Sequence, residues 1–201
     1  MKTTKTLLSL VLAVFGFGLS NLFAQAPDTV CAGTPGKSYW VNNTPGSTYQ
    51  WIVAGGTQAS GTNTNSITIN FSSTVGTDTI TVIETNSNGC IGDPVKLAVV
   101  RMPLPTATIT GPVTICANDS TTASIALTGT APWNFTYTNG TTPVSVTGIS
   151  SSPYVFNTGM LTTSTTYTVT AITDRLGCVG TYSGSAPITV NPRPVTSVIF
   201  H

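Results

Sequence analysis

The stretch Thr77–Cys90, "TDTITVIETNSNGC", returns as Thr165–Cys178, "TTYTVTAITDRLGC". Both are Thr-rich alternations that run into a short polar turn and then Gly-Cys. A chain that repeats a strand, a turn and a cysteine in one order builds the same unit twice, because each copy has the same apolar face to bury. Other landmarks recur with them. Cys31 lies in "TVCAG" and Cys116 in "TICAN". An aromatic triplet stands in each half, "YQW" at Tyr49–Trp51 and "FTY" at Phe135–Tyr137. Each half leaves through an apolar strand and Pro-x-Pro, "VKLAVVRMPLP" and "APITVNPRP". The units are expected over residues 25–103 and 104–194, with residues 195–201 as a tail.

Short alternating runs separated by Gly, Asn and Pro predict an all-β chain: two tandem antiparallel β-sandwiches. In the first unit the runs are "STYQWIV", "NSITINF", "DTITVIET" and "VKLAVV". In the second they are "TTASIALTG", "WNFTYTNG", "TPVSVTGI", "TTYTVTAIT" and "APITVNP". Counted back from the cysteine, Ile80 and Val82 fall one residue out of step with Tyr167 and Val169. A slip of one would turn core side chains to solvent, so one unit is expected to carry a β-bulge or a longer turn.

Residues 1–24 read as a cleaved secretory signal peptide: Lys2 and Lys5, the apolar run "LLSLVLAVFGFGL", then small residues up to Ala24. "DTVC" lacks the small residues expected before a lipoprotein cysteine. After cleavage no transmembrane segment is read. The charged fraction is only 6 % while 40 % is hydrophobic, so a core forms on a nearly neutral chain. A basic footprint for nucleic acid is missing.

Four cysteines in an exported chain favour disulfides. The repeat suggests Cys31 with Cys90 and Cys116 with Cys178, each closing a loop of about 60 residues worth about 3–4 kcal/mol in the loop-entropy model. Trp51 is expected in one core, and Trp133 or Tyr137 in the other. An exposed Trp133 or Trp40 would instead offer a platform for sugar stacking.

The strings "TVCAG", "YQW" and "ETNSNGC", then "LTGTAPW", "SSPY" and "TDRLGC", together resemble the PKD-like or Ig-like modules of Bacteroidota surface proteins. Such modules recur in gliding-motility adhesins and in proteins tied to type IX secretion. The resemblance covers nearly all of the chain after the signal. It implies sandwiches used for adhesion or assembly at the cell surface or outside the cell. No large C-terminal sorting domain is read after the second unit, which makes the periplasmic face of the outer membrane the alternative location.

Catalysis is not expected. The single histidine, His201, is the last residue, and the acids Asp28, Asp78, Glu84, Asp93, Asp119 and Asp174 are scattered. No metal site or cofactor is expected. Oxygens at Asn86, Asn88 and Asp174 would suit calcium, but such residues also form turns by bonding their own backbone. Asp-Ser/Thr patterns resembling the Bacteroidota O-glycosylation acceptor mark Thr29, Thr79 and Ser120 as candidates. In the tail, Val195, Val198, Ile199 and Phe200 are candidate partner-binding residues, able to add as a strand to a partner's sheet edge. The competing readings are that the tail finishes the second unit's last strand or stays unstructured. The expected partner is an envelope or cell-surface protein, with a glycan as the alternative ligand.

Overall fold

The computed structural model describes residues 25–111, 113–199 and 201. The expected signal peptide at 1–24 and the tail residue Phe200 lie outside the described residues. Every regular element described is a strand, and they form β-sandwich domains.

The first sandwich contains β1 (Asp28–Cys31), β2 (Lys37–Trp40), β3 (Thr48–Val53), β4 (Gly56–Ser60), β5 (Ser66–Phe71), β6 (Gly76–Thr85) and β7 (Val95–Met102). One sheet has the order β1-β7-β6-β3 and faces a second of order β2-β5-β4. The second sandwich contains β8 (Thr106–Thr110), β9 (Val113–Cys116), β10 (Thr122–Thr128), β11 (Trp133–Thr138), β12 (Pro143–Ile149), β13 (Tyr154–Asn157), β14 (Thr165–Thr173), β15 (Thr181–Ser183) and β16 (Ala186–Asn191). Its sheets are β12-β11-β14-β16-β9 and β13-β10-β8-β15. The short cysteine-bearing strand of each sandwich is paired parallel to its last strand, β1 to β7 and β9 to β16, while the long central strands pair antiparallel.

Period-two alternation sets the cores. In β5, Ile67, Ile69 and Phe71 point inward while Ser66 and Asn70 face water. In β10, Ala123, Ile125 and Leu127 do the same. The two cores are separate clusters, one around Ile69 and Val99, the other around Ile125, Phe135, Phe156 and Ile188. Within the second, Tyr137 stacks on Phe156 at 4.3 Å between centroids and Tyr167 meets Phe156 edge-on.

The one-residue slip is a bulge in β14. Opposite β11, Thr136 pairs with Ala171 but Tyr137 pairs with Val169, leaving Thr170 extra. Thr170 and Ala171 are both exposed, and the inward alternation resumes at Ile172. The extra residue lets Tyr167, Val169 and Ile172 all face the core.

Asp78 is the exception on an inward face, in line with Ile80 and Val82. Arg101 on the neighbouring β7 answers it with two hydrogen bonds, Nε donating to Oδ2 at 2.6 Å and Nη2 to Oδ1 at 3.0 Å. Nη1 donates to the Thr74 carbonyl. The fork leaves neither buried charge unpaired.

Candidate functional site: the module poles

The cysteines do not pair within modules. Cys31 is bonded to Cys178, with Cα atoms 5.6 Å apart, and Cys90 and Cys116 are free and exposed. The expected Cys31–Cys90 and Cys116–Cys178 pairings are therefore corrected, and strand direction gives the reason. Cys31 sits opposite Met102, at the end of β7 where the chain leaves the first sandwich. Cys90 follows β6, which runs antiparallel to β7, so it lies at the other pole. Ten residues of β6 separate the poles by about 30 Å, far beyond disulfide reach. The second sandwich repeats this. Cys116 is opposite Asn191 at the exit end of β16, and Cys178 lies past the far end of β14.

Cys178 instead meets the incoming connector. Thr181 N–H donates to the Pro105 carbonyl, and Thr181 pairs beside Thr106 at the start of β8. The disulfide thus straps the exit pole of one sandwich to the entrance pole of the next, alongside Pro103–Pro105. Gly180 makes room for this contact: a Cβ there would lie 1.9 Å from the Pro105 carbonyl oxygen.

The turns before both Gly-Cys pairs share one device. Asn86 Oδ1 accepts from the N–H groups of Asn88 and Cys90, and Asp174 Oδ1 accepts from those of Leu176 and Cys178. These oxygens hold the turn through backbone donors, as Asx turns do. No cluster of potential metal ligands occurs among the described residues.

The first sandwich has an open flank. In the second, β10 lies between β13 and β8. In the first, β2 occupies the place of β10 but, among the described residues, pairs on one side only, with β5. On its other side runs a groove of about 570 Å³ lined by Tyr39, Trp40, Trp51, Ile80, Val82 and Leu97 among others. It lies where β8 lies in the second sandwich, where Ala107 and Ile109 are fully buried. At its rim, Tyr39 O–H donates to Asp28 Oδ2 at 3.0 Å and Lys37 pairs with Asp28 at 3.7 Å. Burial, then the hydrogen bond and charge of Asp28, hold the Tyr39 phenol above its ordinary pKa.

The tryptophans divide. Trp133 is only 7 % exposed and lies in the second core, as the first of its two readings expected and not the sugar platform. Trp51 packs against the first core and donates its Nε1–H to the Thr64 carbonyl. Trp40 is 72 % exposed beside the groove.

Thr29, Thr79 and Ser120 are all exposed. Asp78, the acid before Thr79, is engaged by Arg101, and Asp119, before Ser120, by Arg193. In the tail, Val195 and Ile199 are 95 % and 93 % exposed, and Val198 is also exposed. β16 ends at Asn191, so Val195, Val198 and Ile199 do not extend it.

Sequence reasoning stopped at Gly-Cys. Two residues further on, "GCIG" (Gly89–Gly92) and "GCVG" (Gly177–Gly180) carry a second shared glycine, and that one marks the connector contact. The groove left no such signal, because it marks a place beside β2 that no described strand fills.

Residues 21–99 match a family described as PKD-like domain. No curated protein matches the chain. Among solved structures, the fibronectin(III)-like modules of Clostridium thermocellum CbhA align over 88 % of this chain and 95 % of theirs, at 15 % identity and TM-score 0.41. The amphioxus IgVJ-C2 molecule aligns over 80 % and 99 %, at 16 % identity and TM-score 0.35. Drosophila OTK extracellular domains 3–5 align over 82 % and 59 %, at 11 % identity and TM-score 0.45. Over residues 21–99 the chain is thus similar to PKD-like domains, in keeping with a PKD/Ig-like module within an all-β chain of sandwich domains.

Proposed function

We propose that the chain is an exported, non-enzymatic protein of the envelope or cell surface that serves as an adhesion or assembly module. The observation that carries this is the tail. Val195–Ile199 is uncharged, carries Val195, Val198 and Ile199 with Thr196 and Ser197 between them, belongs to no strand and is exposed throughout. An uncharged segment of this length is suited to pairing with a sheet edge, where backbone hydrogen bonds supply affinity and alternate side chains supply register. The strap between sandwiches favours the same reading, since it turns two small domains into one spacer with fixed ends. The finer placement, in a Bacteroidota assembly tied to gliding motility or type IX secretion, rests on the motif resemblance.

The test is affinity purification of a tagged copy from native envelopes, followed by mass spectrometry. A stoichiometric envelope protein is expected, lost on deletion of Pro194–His201. Recovery without any envelope protein overturns the reading. A second reading, glycan binding, is favoured by the exposed Trp40 indole beside the groove. It expects glycan-array signals that vanish in Trp40→Ala.

A further inference from the structure

We propose that the chain links head to tail with further copies of itself, the tail of one copy filling the groove of the next and Cys116 bonding to Cys90 across the new junction. This rests on the assembly reading above and names its partner as a second copy.

The template is the junction inside the chain. It has three parts. A cysteine at the exit pole, Cys31, bonds to one at the entrance pole, Cys178. A Pro-x-Pro connector, Pro103–Pro105, passes against a glycine, Gly180. The strand after it, β8, then enters the second sandwich beside β10 and buries Ala107 and Ile109.

Each part has an unused counterpart at the outer poles. Cys116 stands at the exit pole of the second sandwich, paired in register with Asn191 as Cys31 is with Met102. Cys90 stands at the entrance pole of the first, two residues before Gly92 as Cys178 is before Gly180. Both thiols are free and exposed. Pro192-Arg193-Pro194 repeats the connector. A Cβ on Gly92 would meet only the Glu84 carbonyl, at 3.3 Å, so the space that Pro105 occupies beside Gly180 is open here among the described residues.

The strand and its slot correspond as well. Counted from the shared Pro-x-Pro, Thr196 and Val198 fall where Ala107 and Ile109 fall. Among the described residues β2 has a free edge, and that edge and the groove beside it occupy the place that β8 fills in the second sandwich. Val41 N–H donates to Asn65, on the β5 side, so the alternate residues Ser38 and Trp40 turn their backbone groups to the free edge. A tail from a second copy would pair there and cover the groove. Exit parts and entrance parts lie on different sandwiches, so the contact is heterologous and propagates into a filament instead of closing as a two-fold dimer.

The covalent step is thiol–disulfide exchange with a small disulfide as oxidant. The Cys116 thiolate attacks one sulfur of oxidised glutathione and expels a glutathione thiolate. The Cys90 thiolate of the next copy attacks the mixed disulfide and expels the second. Two protein thiols lose two protons and two electrons, and one oxidised glutathione becomes two reduced molecules.

The test uses the purified chain from Gln25 to His201 in oxidised and reduced glutathione, with non-reducing electrophoresis and peptide mapping. A ladder of multiples is expected, with Cys90–Cys116 as the linking peptide and Cys31–Cys178 intact. Cys90→Ser and Cys116→Ser each stay single, and their mixture stops at two copies. Both positions are exposed, so serine leaves the fold in place. Deleting residues 195–201 is expected to slow linkage about tenfold or more, because the docked strand supplies the effective concentration. Equal linkage in either single variant, or a rate indifferent to the tail, overturns the proposal. So does a product in which every thiol is singly capped by glutathione. That last result leaves the envelope-capture experiment standing, since it is read from cells and not from the pure chain.

Discussion

At the residue scale, three ion pairs join ionisable side chains among the described residues, and one of them is buried. Asp78 lies on the core face of β6 with Arg101 across the ladder. Asp78→Ala leaves a buried guanidinium unpaired and is expected to cost about 3 kcal/mol or more, read from the urea midpoint. Replacing both residues with leucine and methionine is expected to restore much of it, since the desolvation cost goes with the pair. The tyrosines set an alkaline limit. Tyr39, Tyr137 and Tyr167 are all raised above the usual phenol pKa, by burial first and, for Tyr39, by Asp28 as well. The folded state holds these protons more tightly than the unfolded chain. Their contribution is complete below the unfolded value of about 10 and is lost as pH rises beyond it towards the raised folded values. Urea midpoints measured between pH 9 and 11 are expected to fall with pH, less steeply in Tyr39→Phe.

At the scale of elements, two glycines in equivalent turns are expected to behave differently. Gly180→Ala drives a methyl into the Pro105 carbonyl and is expected to destabilise the second sandwich by about 1–3 kcal/mol. Gly92→Ala brings its methyl only to 3.3 Å from the Glu84 carbonyl, a contact that a shift of a few tenths of an ångström relieves, and is expected to shift the melting temperature of the single chain by no more than about 2 °C, while it obstructs head-to-tail linkage. Thermal melts and the glutathione ladder check the two halves. The long alternating strands were legible because period two is unambiguous over six to ten residues, as in β5, β6 and β10. Even the bulge in β14 could be read, as one residue too many between Val169 and Cys178. The four-residue strands β1, β2 and β9 escaped, because "DTVC", "KSYW" and "VTIC" are too short to establish a period. The "TATIT" strand β8 was hidden for another reason: it follows a connector directly and its partner β10 lies ahead of it in sequence.

At the scale of the whole molecule, the cysteine pairing shows what a repeat does and does not specify. Equivalent residues have equivalent surroundings, but a bond needs two poles to meet. The poles that meet belong to successive modules, because Cys31 and the connector leave the first sandwich from the same end. Non-reducing peptide mapping of the purified chain is expected to recover Cys31 joined to Cys178, with no peptide joining Cys31 to Cys90. The same logic explains the unequal flanks. The first sandwich has no described strand in the place of β8, and the second has an apolar tail left over at its exit.

The strap also decides how the chain carries load. Pulled from Gln25 and His201, tension passes from Cys31 straight through sulfur to Cys178, and the 147-residue span between them bears none of it. Only the outer segments pay out, about 30 residues or ~100 Å of contour, against ~600 Å once the bond is reduced. Optical-tweezer extension with and without reductant reads that difference directly. An oxidised chain of this design is a nearly inextensible link, and a reduced one is a shock absorber.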